Sequence, residues 1–399
     1  MTCTVEFART RGKMKTALGM IIRSLDSDAE LTNFILNAEK YGHQLDGVIV
    51  AYTHQLDPRA EQSIKKRLPF YAVDIKNPRY CYEQFKRRGI PEPAAQALLE
   101  CPIDTKEGLV PYGYNRTIVV LEAILRGFDI LFFVDSDVYP TVLRKMPDGG
   151  IVKDEADFFG AHLEHLRSDS QVTTGEYSGY NILPPASFDG MEDLLAGLQK
   201  TDMLDYWKNS LIHRCLAVQP QEVEVKPCGK ILGGNCAIKL SAFSGLPPFF
   251  SSHYTIDDRI FLCRGEDTIL GAEIEKSGTV CTDIGLNPLH DTYKDYPKEP
   301  DLPGDPAVQE RFYYACTGWV GRNPLMNYIQ GKDIQETRET QREYLVRGLR
   351  ALVGYTANRR FYGVLRNFDT SWDNLGRYIN EYEQVMEAWR VFTERIGLQ

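Results

Sequence analysis

The chain has no run of apolar residues approaching the roughly 20 that a membrane-spanning helix needs, and it has no excess of positive charge. Its 46 lysines and arginines are outnumbered by 55 aspartates and glutamates, for a formal net charge of −9. That balance excludes the broad basic surface that holds nucleic acid or acidic membranes. Nine cysteines are scattered at positions 3, 81, 101, 215, 228, 236, 263, 281 and 316, and no two form a Cys-x-x-Cys pair. An odd, unpatterned set excludes a disulfide framework and points to buried thiols in a reducing compartment. The N-terminal stretch mixes charge with short apolar pieces, unlike a secretory leader or a membrane anchor, so a cytoplasmic location is expected. There is no internal repeat and no low-complexity segment. What is left, 43% hydrophobic and 25% charged residues over 399 positions, suits one large soluble domain with an appendage, or two domains.

The most informative stretch runs Phe128-Asp129-Ile130-Leu131-Phe132-Phe133-Val134-Asp135-Ser136-Asp137-Val138-Tyr139-Pro140. Its short apolar run, bounded by polar turn residues, predicts a fully buried central strand. Asp135 and Asp137 then fall just beyond the carboxyl end of that strand, where open α/β sheets bind ligands. Alternation puts both carboxylates on one side. Two neighbouring acids repel each other and resist desolvation, so a cation is expected between them, and Mg²⁺ or Mn²⁺ is the economical choice. A phosphatase motif, in which the first aspartate attacks phosphorus, would want threonine or valine four residues on; Tyr139 stands there instead.

Around this stretch the pattern is α/β. Strands are expected at residues 16–23, 45–52 and 71–75, separated by helices from about 29 and from Pro58 to Arg67. Residues 77–110 read as a polar excursion covering one edge of the site, with Lys86-Arg87-Arg88 as a solvated face. A helix follows Pro111-Tyr112-Gly113-Tyr114-Asn115-Arg116 and ends at Gly127. Phe158 to Leu163 reads as a further strand, residues 173–180 as a turn-rich loop, and Met191 to Trp207 as mostly helical. Gly233-Gly234-Asn235 is a glycine turn feeding a strand. Beyond Pro306 the chain reads as helical. The expected division is a catalytic domain to about 300, with a nucleotide-sugar half to about 140 and an acceptor half after it, then a helical extension over 301–399.

Further residues qualify for chemistry. Glu266 and Asp267, behind Gly265 at a helix start, are stabilised as anions by the helix dipole, which suits a general base as well as plain capping. His290, in Leu289-His290-Asp291, reads as a loop histidine able to complete a metal site begun by Asp137. Asn115 and Arg116 at a helix start could hold a diphosphate. The glycines of Gly233-Gly234-Asn235 permit close approach of a sugar. Trp319, with Gly321, Arg322 and Asn323, reads as a loop that stacks on a sugar, binds an anion, or packs the C-terminal region onto the domain. His43, His54, His162, His165, His213 and His253 take ordinary surface or core readings.

In order, "FFVDSDV", "GGNCAIKLSAF", "RGEDTILG" and a downstream histidine resemble a GT-A-fold glycosyltransferase, which uses nucleotide-diphosphate sugars; the resemblance spans about residues 16–295. It implies a doubly wound, mostly parallel sheet flanked by helices. It also implies a Mn²⁺ or Mg²⁺ cofactor, a UDP- or GDP-sugar donor, and a glycan or small-molecule acceptor. By this resemblance Asp135 lies near the donor ribose or sugar, Asp137 binds the metal and His290 joins it. Arg23, Asn115, Arg116, Ser136, Gly234 and Asn235 are placed on the donor side, and Asp267 with Glu266 at the acceptor hydroxyl. The first strand departs from the pattern, ending Ile22-Arg23-Ser24 where many relatives have proline. Inversion with an aspartate base is expected; retention, as in enzymes resembling mannosylglycerate synthase, stays open, as does a non-catalytic glycan-binding domain. A nucleotidyltransferase would carry a glycine-rich basic signature after the first strand, where Ser24-Leu25-Asp26 stands. The C-terminal helices offer a surface for self-association.

Overall fold

The computed structural model describes residues 14–105, 108–180, 182–209 and 226–398; Cys3, Cys215 and His213 lie outside them. Alternating strands and helices open the fold: β1 (Thr16–Leu25), α1 (Ala29–Lys40), β2 (Gly47–Leu56), α2 (Pro58–Lys65) and β3 (Phe70–Asp74). Then come α3 (Arg79–Arg87), α4 (Glu92–Leu99), α5 (Tyr112–Leu125), β4 (Ile130–Val134), β5 (Val138–Lys145), β6 (Ile151–Glu155), α6 (Phe158–Leu166) and β7 (Val172–Thr174). Next are α7 (Met191–Leu198), α8 (Leu204–Asn209), β8 (Lys226–Pro227), β9 (Asn235–Lys239), β10 (His253–Ile256), β11 (Arg259–Leu262), α9 (Glu266–Ser277), β12 (Cys281–Asp283) and β13 (Pro288–His290). Four helices finish the chain: α10 (Pro306–Ile329), α11 (Ile334–Thr356), α12 (Gly363–Asp373) and α13 (Leu375–Ile396).

The main sheet has eight strands in the order β3-β2-β1-β4-β9-β7-β12-β8. The first four are mutually parallel, β9 runs against both β4 and β7, and β12 is parallel to β7. Every residue of β4 is inaccessible, because both its edges are paired and both its faces covered. Leu131 and Phe133 pack with Ile118, Val119 and Leu121 of α5, while Ile130, Phe132 and Val134 pack with Phe34 of α1 and Phe158 and Phe159 of α6. Helices on both faces of a mostly parallel sheet make the doubly wound arrangement that the alternating pattern implied.

Several local expectations fail, three of them here. Phe158 to Leu163 is helical, not a strand. Asp157 caps α6 by accepting the Gly160 N–H at 2.8 Å, and Phe158, Phe159, His162, Leu163 and Leu166 are buried at helical spacing. Residues 77–110 are mostly two helices, α3 and α4, that pack on α5 and α13; only the far end, at Gly108, returns to the sheet rim against the Arg23 guanidinium. Lys86, Arg87 and Arg88 are exposed, as expected. Trp319 to Asn323 is no loop but the interior of α10, which continues through Pro324. Among the described residues the seven cysteines are all free, and five of them are buried. No helix there is long and apolar enough to cross a membrane.

The C-terminal helices share cores with the rest of the chain. Phe312, Leu345 and Leu349 cluster with Leu194, Leu195 and Trp207, and Leu325 and Tyr378 with Tyr254 and Ile269. Trp389 enters the sheet-side core and donates its indole N–H to the carbonyls of Phe243 and Leu246. We therefore expect calorimetry to show one unfolding transition for the whole chain, with Trp389→Ala lowering the unfolding free energy by about 3–5 kcal/mol. Two separable transitions, one untouched by the substitution, would show instead that the helical segment folds on its own.

Candidate active site

Beyond Val134 the chain leaves the main sheet. Asp135, Ser136 and Asp137 form the exit, and β5 goes on to pair with β6 and β13 in a small antiparallel sheet. His290, expected in a loop, is the last residue of β13 and sits opposite Val138. The Asp291 N–H donates to the Asp137 carbonyl at 2.9 Å, and this pairing brings His290 Nε2 to 3.0 Å from Asp137 Oδ1. One ligand atom from each of Asp135, Asp137 and His290 lies within 4.8 Å of the others. Burial alone would raise the Asp137 carboxyl, but the charge and hydrogen bond of His290 outweigh it and hold the group at about 2. Burial likewise opposes charge on His290, and Asp137 reverses that, raising the imidazole above its ordinary value.

Two carboxylates and an imidazole fit a divalent ion that accepts mixed oxygen and nitrogen donors. His290 Nδ1 is buried without a hydrogen-bond partner, so no protein group fixes it in a competing role. The Tyr177 ring packs on the imidazole, with centroids 4.5 Å apart and planes inclined at 31°. Its hydroxyl accepts the Gly234 N–H at 3.0 Å.

Behind the acids sits Arg116, its side chain only 3% exposed. Nη2 donates to Asp135 Oδ1 at 2.7 Å, Nε to Glu266 Oε1 at 2.9 Å and Nη1 to the Gly233 carbonyl at 2.6 Å. The guanidinium also lies 5.2 Å from the Phe133 ring centroid. Burial would discharge it, yet the charges of Asp135 and Glu266 outweigh that and push its pKa up. Arg116 is therefore a brace joining the end of β4, the turn before β9 and the start of α9, rather than an arm reaching for a diphosphate. A Cβ at Gly233 would run into that guanidinium, and one at Gly234 into the Asp135 carboxylate and the Tyr177 hydroxyl. These glycines are required by the protein's own ion pairs, not only by a close-lying sugar.

Glu266 is buried, its pKa raised by burial and by Asp267 against the pull of Arg116. Asp267 is the more accessible of the two. It accepts the Gly233 N–H on Oδ2 at 3.1 Å and the Thr268 N–H on Oδ1 at 2.7 Å, and it makes no ion pair among the described residues. Gly265, at φ 104°, turns the chain into α9 in a left-handed conformation that a side chain would strain. Asp135, Tyr177, His290, Glu266 and Asp267 line one cavity of about 320 Å³.

The remaining candidates divide. Arg23 is exposed on β1, beyond Met20, which pairs with Val134; it stands at the same rim but does not line the cavity. Ser136 is half-buried between the two acids. Asn115 is wholly buried with both amide atoms unpartnered and does not reach the cavity. Asn235 is also wholly buried. Its amide donates to the carbonyls of Glu176 and Leu286, each at 2.9 Å, and its oxygen faces His162 at 3.3 Å, so it ties strands together instead of facing a sugar. His162 is a core histidine kept neutral by burial, its pKa depressed to about 3. Tyr177, Lys200 and Arg264 also line the cavity and stood outside the expected set; each reaches it by tertiary packing, with no spacing to announce it.

No family model matches the chain, and no curated protein is similar to it. Similar solved structures include a mycobacterial protein, 12% identical over 80% of this chain and 76% of that one, with a TM-score of 0.40. Another is glucosyl-3-phosphoglycerate synthase from Mycobacterium tuberculosis in complex with Mn²⁺, uridine diphosphate and phosphoglyceric acid. It is 14% identical over 80% of each chain, with a TM-score of 0.40. At such values the likeness is one of coarse shape.

If Arg116 is the brace, Arg116→Met leaves Glu266 buried without its cation and should cost about 3–5 kcal/mol of stability in urea unfolding. Arg116→Lys keeps the charge but cannot span three acceptors, and should recover only part of the loss. A change below about 1 kcal/mol for the methionine variant would remove Arg116 from this role.

Proposed function

We propose that the protein is a metal-dependent glycosyltransferase of GT-A-like architecture, moving a sugar from a nucleotide-diphosphate sugar to an acceptor hydroxyl. One observation carries the reading: Asp135, Asp137 and His290 converge at the end of a buried strand, and two of them, Asp135 and His290, line a cavity that also holds Asp267 at a helix start. Metal ligands beside a second, separately held carboxylate answer the two charge problems of glycosyl transfer. A bound Mn²⁺ or Mg²⁺ supplies positive charge to the diphosphate as its bond to the anomeric carbon breaks. The imidazole in the ligand set favours Mn²⁺ over the all-oxygen preference of Mg²⁺.

Asp137 and His290 would hold the ion, with Asp135 completing the set through the oxygen that Arg116 leaves open. Ser136, Gly234 and Arg23 stand at the donor rim. Arg116 acts indirectly, fixing Asp135 against the turn that also positions Asp267. In the inverting course, Asp267 takes the acceptor proton as the new C–O bond forms and the nucleoside diphosphate departs with its electron pair. The N–H groups of Gly233 and Thr268 keep that carboxylate oriented until then. Glu266 anchors Arg116 instead of touching the reacting atoms. Free thiols suit a reducing compartment such as the cytoplasm.

Asp137→Ala should abolish Mn²⁺-dependent cleavage of the nucleotide sugar while leaving the thermal transition in place. Asp267→Asn should collapse transfer but spare donor binding in calorimetry. Transfer within about tenfold of wild type in the second variant would mean no general base is lost there. The anomeric configuration of the product, read by NMR, checks inversion.

A further inference from the structure

The cavity is lined by charge of both signs, and not every cation in it is matched by an ion pair. Of its cationic lining residues, Arg116 is paired with Asp135 and Glu266, and Lys230 with Glu176 at 2.5 Å and Asp202 at 3.5 Å. Lys200, Arg264 and Arg322 also line it, and none of the three makes an ion pair among the described residues. They come from three separate elements: the turn after α7, the approach to α9, and the middle of α10. Lys200 Nζ stands 5.3 Å from the Trp319 ring centroid, and the Arg264 guanidinium 5.2 Å from that of Tyr112.

Arg322 is the most telling. Its residue is 3% exposed, Nη2 donates to Asn323 Oδ1 at 2.7 Å, and Nη1 makes a long contact of 3.4 Å with Thr268 Oγ1. Its buried Nε has no partner. A buried guanidinium with a free donor and no acid in ion-pair contact among the described residues is costly unless an anion arrives. Its neighbours agree. Burial and then the charge of Arg322 push Lys200 down to about 8, against the pull of Asp202 and Asp267. Burial lowers Arg322 itself to about 10, against Asp267 and Asp202. Two cations this close in one cavity, one depressing the other, are positioned for a ligand of opposite sign. Their side of the cavity is also the side of the proposed base: Arg322 touches Thr268, the residue after Asp267, and its side chain lies against Gly265 at the helix start.

We propose that Lys200 and Arg322, with Arg264 beside them and Trp319 as a flat apolar wall, form a subsite for a carboxylate or phosphate group carried by the acceptor. The inference rests on the glycosyltransferase reading, because the reacting hydroxyl must sit at Asp267 while the anion is held nearby. The diphosphate of the donor does not compete for this subsite, since its place is at Asp135, Asp137 and His290. The anion takes no part in bond making; it orients the hydroxyl, and a neutral acceptor lacks that hold.

The test is a matched acceptor panel (glycerol, glycerate and glycerol phosphate; glucose, glucuronate and glucose 6-phosphate), with transfer followed under Mn²⁺ for each responsive nucleotide sugar. The charged members should exceed their neutral partner in kcat/KM by tenfold or more, and comparison of the two acids tells carboxylate from phosphate. That ratio should fall to near one in Lys200→Met and Arg322→Gln and persist in Arg322→Lys, whatever the overall rate of each variant. It should also shrink as pH rises from 7 to 9, as Lys200 loses its proton among Arg322, Asp202, Asp267 and Lys230. A wild-type ratio near one, or a ratio kept in both neutralising variants, overturns the subsite. Absence of any Mn²⁺-dependent donor cleavage is the distinct outcome that overturns the glycosyltransferase reading itself.

Discussion

The site depends on one buried guanidinium. Arg116 holds Asp135, Glu266 and the Gly233 carbonyl at once, so the end of the central strand, the glycine turn and the start of α9 cannot move independently. Buried charge is tolerated only when it is paired and fully hydrogen-bonded, and here each member solves the burial problem of the others. The two glycines of the turn make room for this contact, and the Gly233 N–H returns a hydrogen bond to Asp267. Metal-side acid and proposed base are thereby registered through a single side chain that need not touch substrate.

Around that brace the cavity is electrically graded. At one end Asp135 and His290 line it, with Asp137 beside them and His290 drawn onto Asp137 by strand pairing between β13 and β5. At the other, Lys200 and Arg322 concentrate positive charge without an ion-pair partner among the described residues, though Asp202 and Asp267 line the same cavity. Cations left without ion pairs in a partly enclosed space are costly. The gradient makes sense as complementarity to ligands of both signs: a divalent cation at the first and an anion at the second. Asp267 is common ground between the two.

Much of this was legible in the sequence because it is written locally. The apolar run into Asp135 and Asp137 specifies a buried strand with acids at its end, and Gly265 followed by two acids specifies a helix start. The first three strands follow from short apolar runs between turn residues. What escaped is set by tertiary context. Phe158-Phe159 looks like strand until His162, Leu163 and Leu166 are counted on the same face. Gly321-Arg322-Asn323-Pro324 looks like a loop, yet α10 carries it through, and its Arg322 reaches the cavity. The side chains of Asn115 and Asn235 have the chemistry of ligand contacts but are enclosed by the core. Arg116 was found as a candidate, though its role as a brace needed the positions of residues 19 and 150 places further along the chain.

The central claim is that Asp135, Asp137 and His290 bind a divalent cation that meets a nucleoside diphosphate. Crystals grown with Mn²⁺ and uridine or guanosine diphosphate, measured at the manganese absorption edge, test it directly. The account predicts one anomalous peak within coordination distance of Asp137 and His290, with diphosphate oxygens on its open side. A diphosphate bound elsewhere, or a manganese peak that avoids these residues, would contradict it.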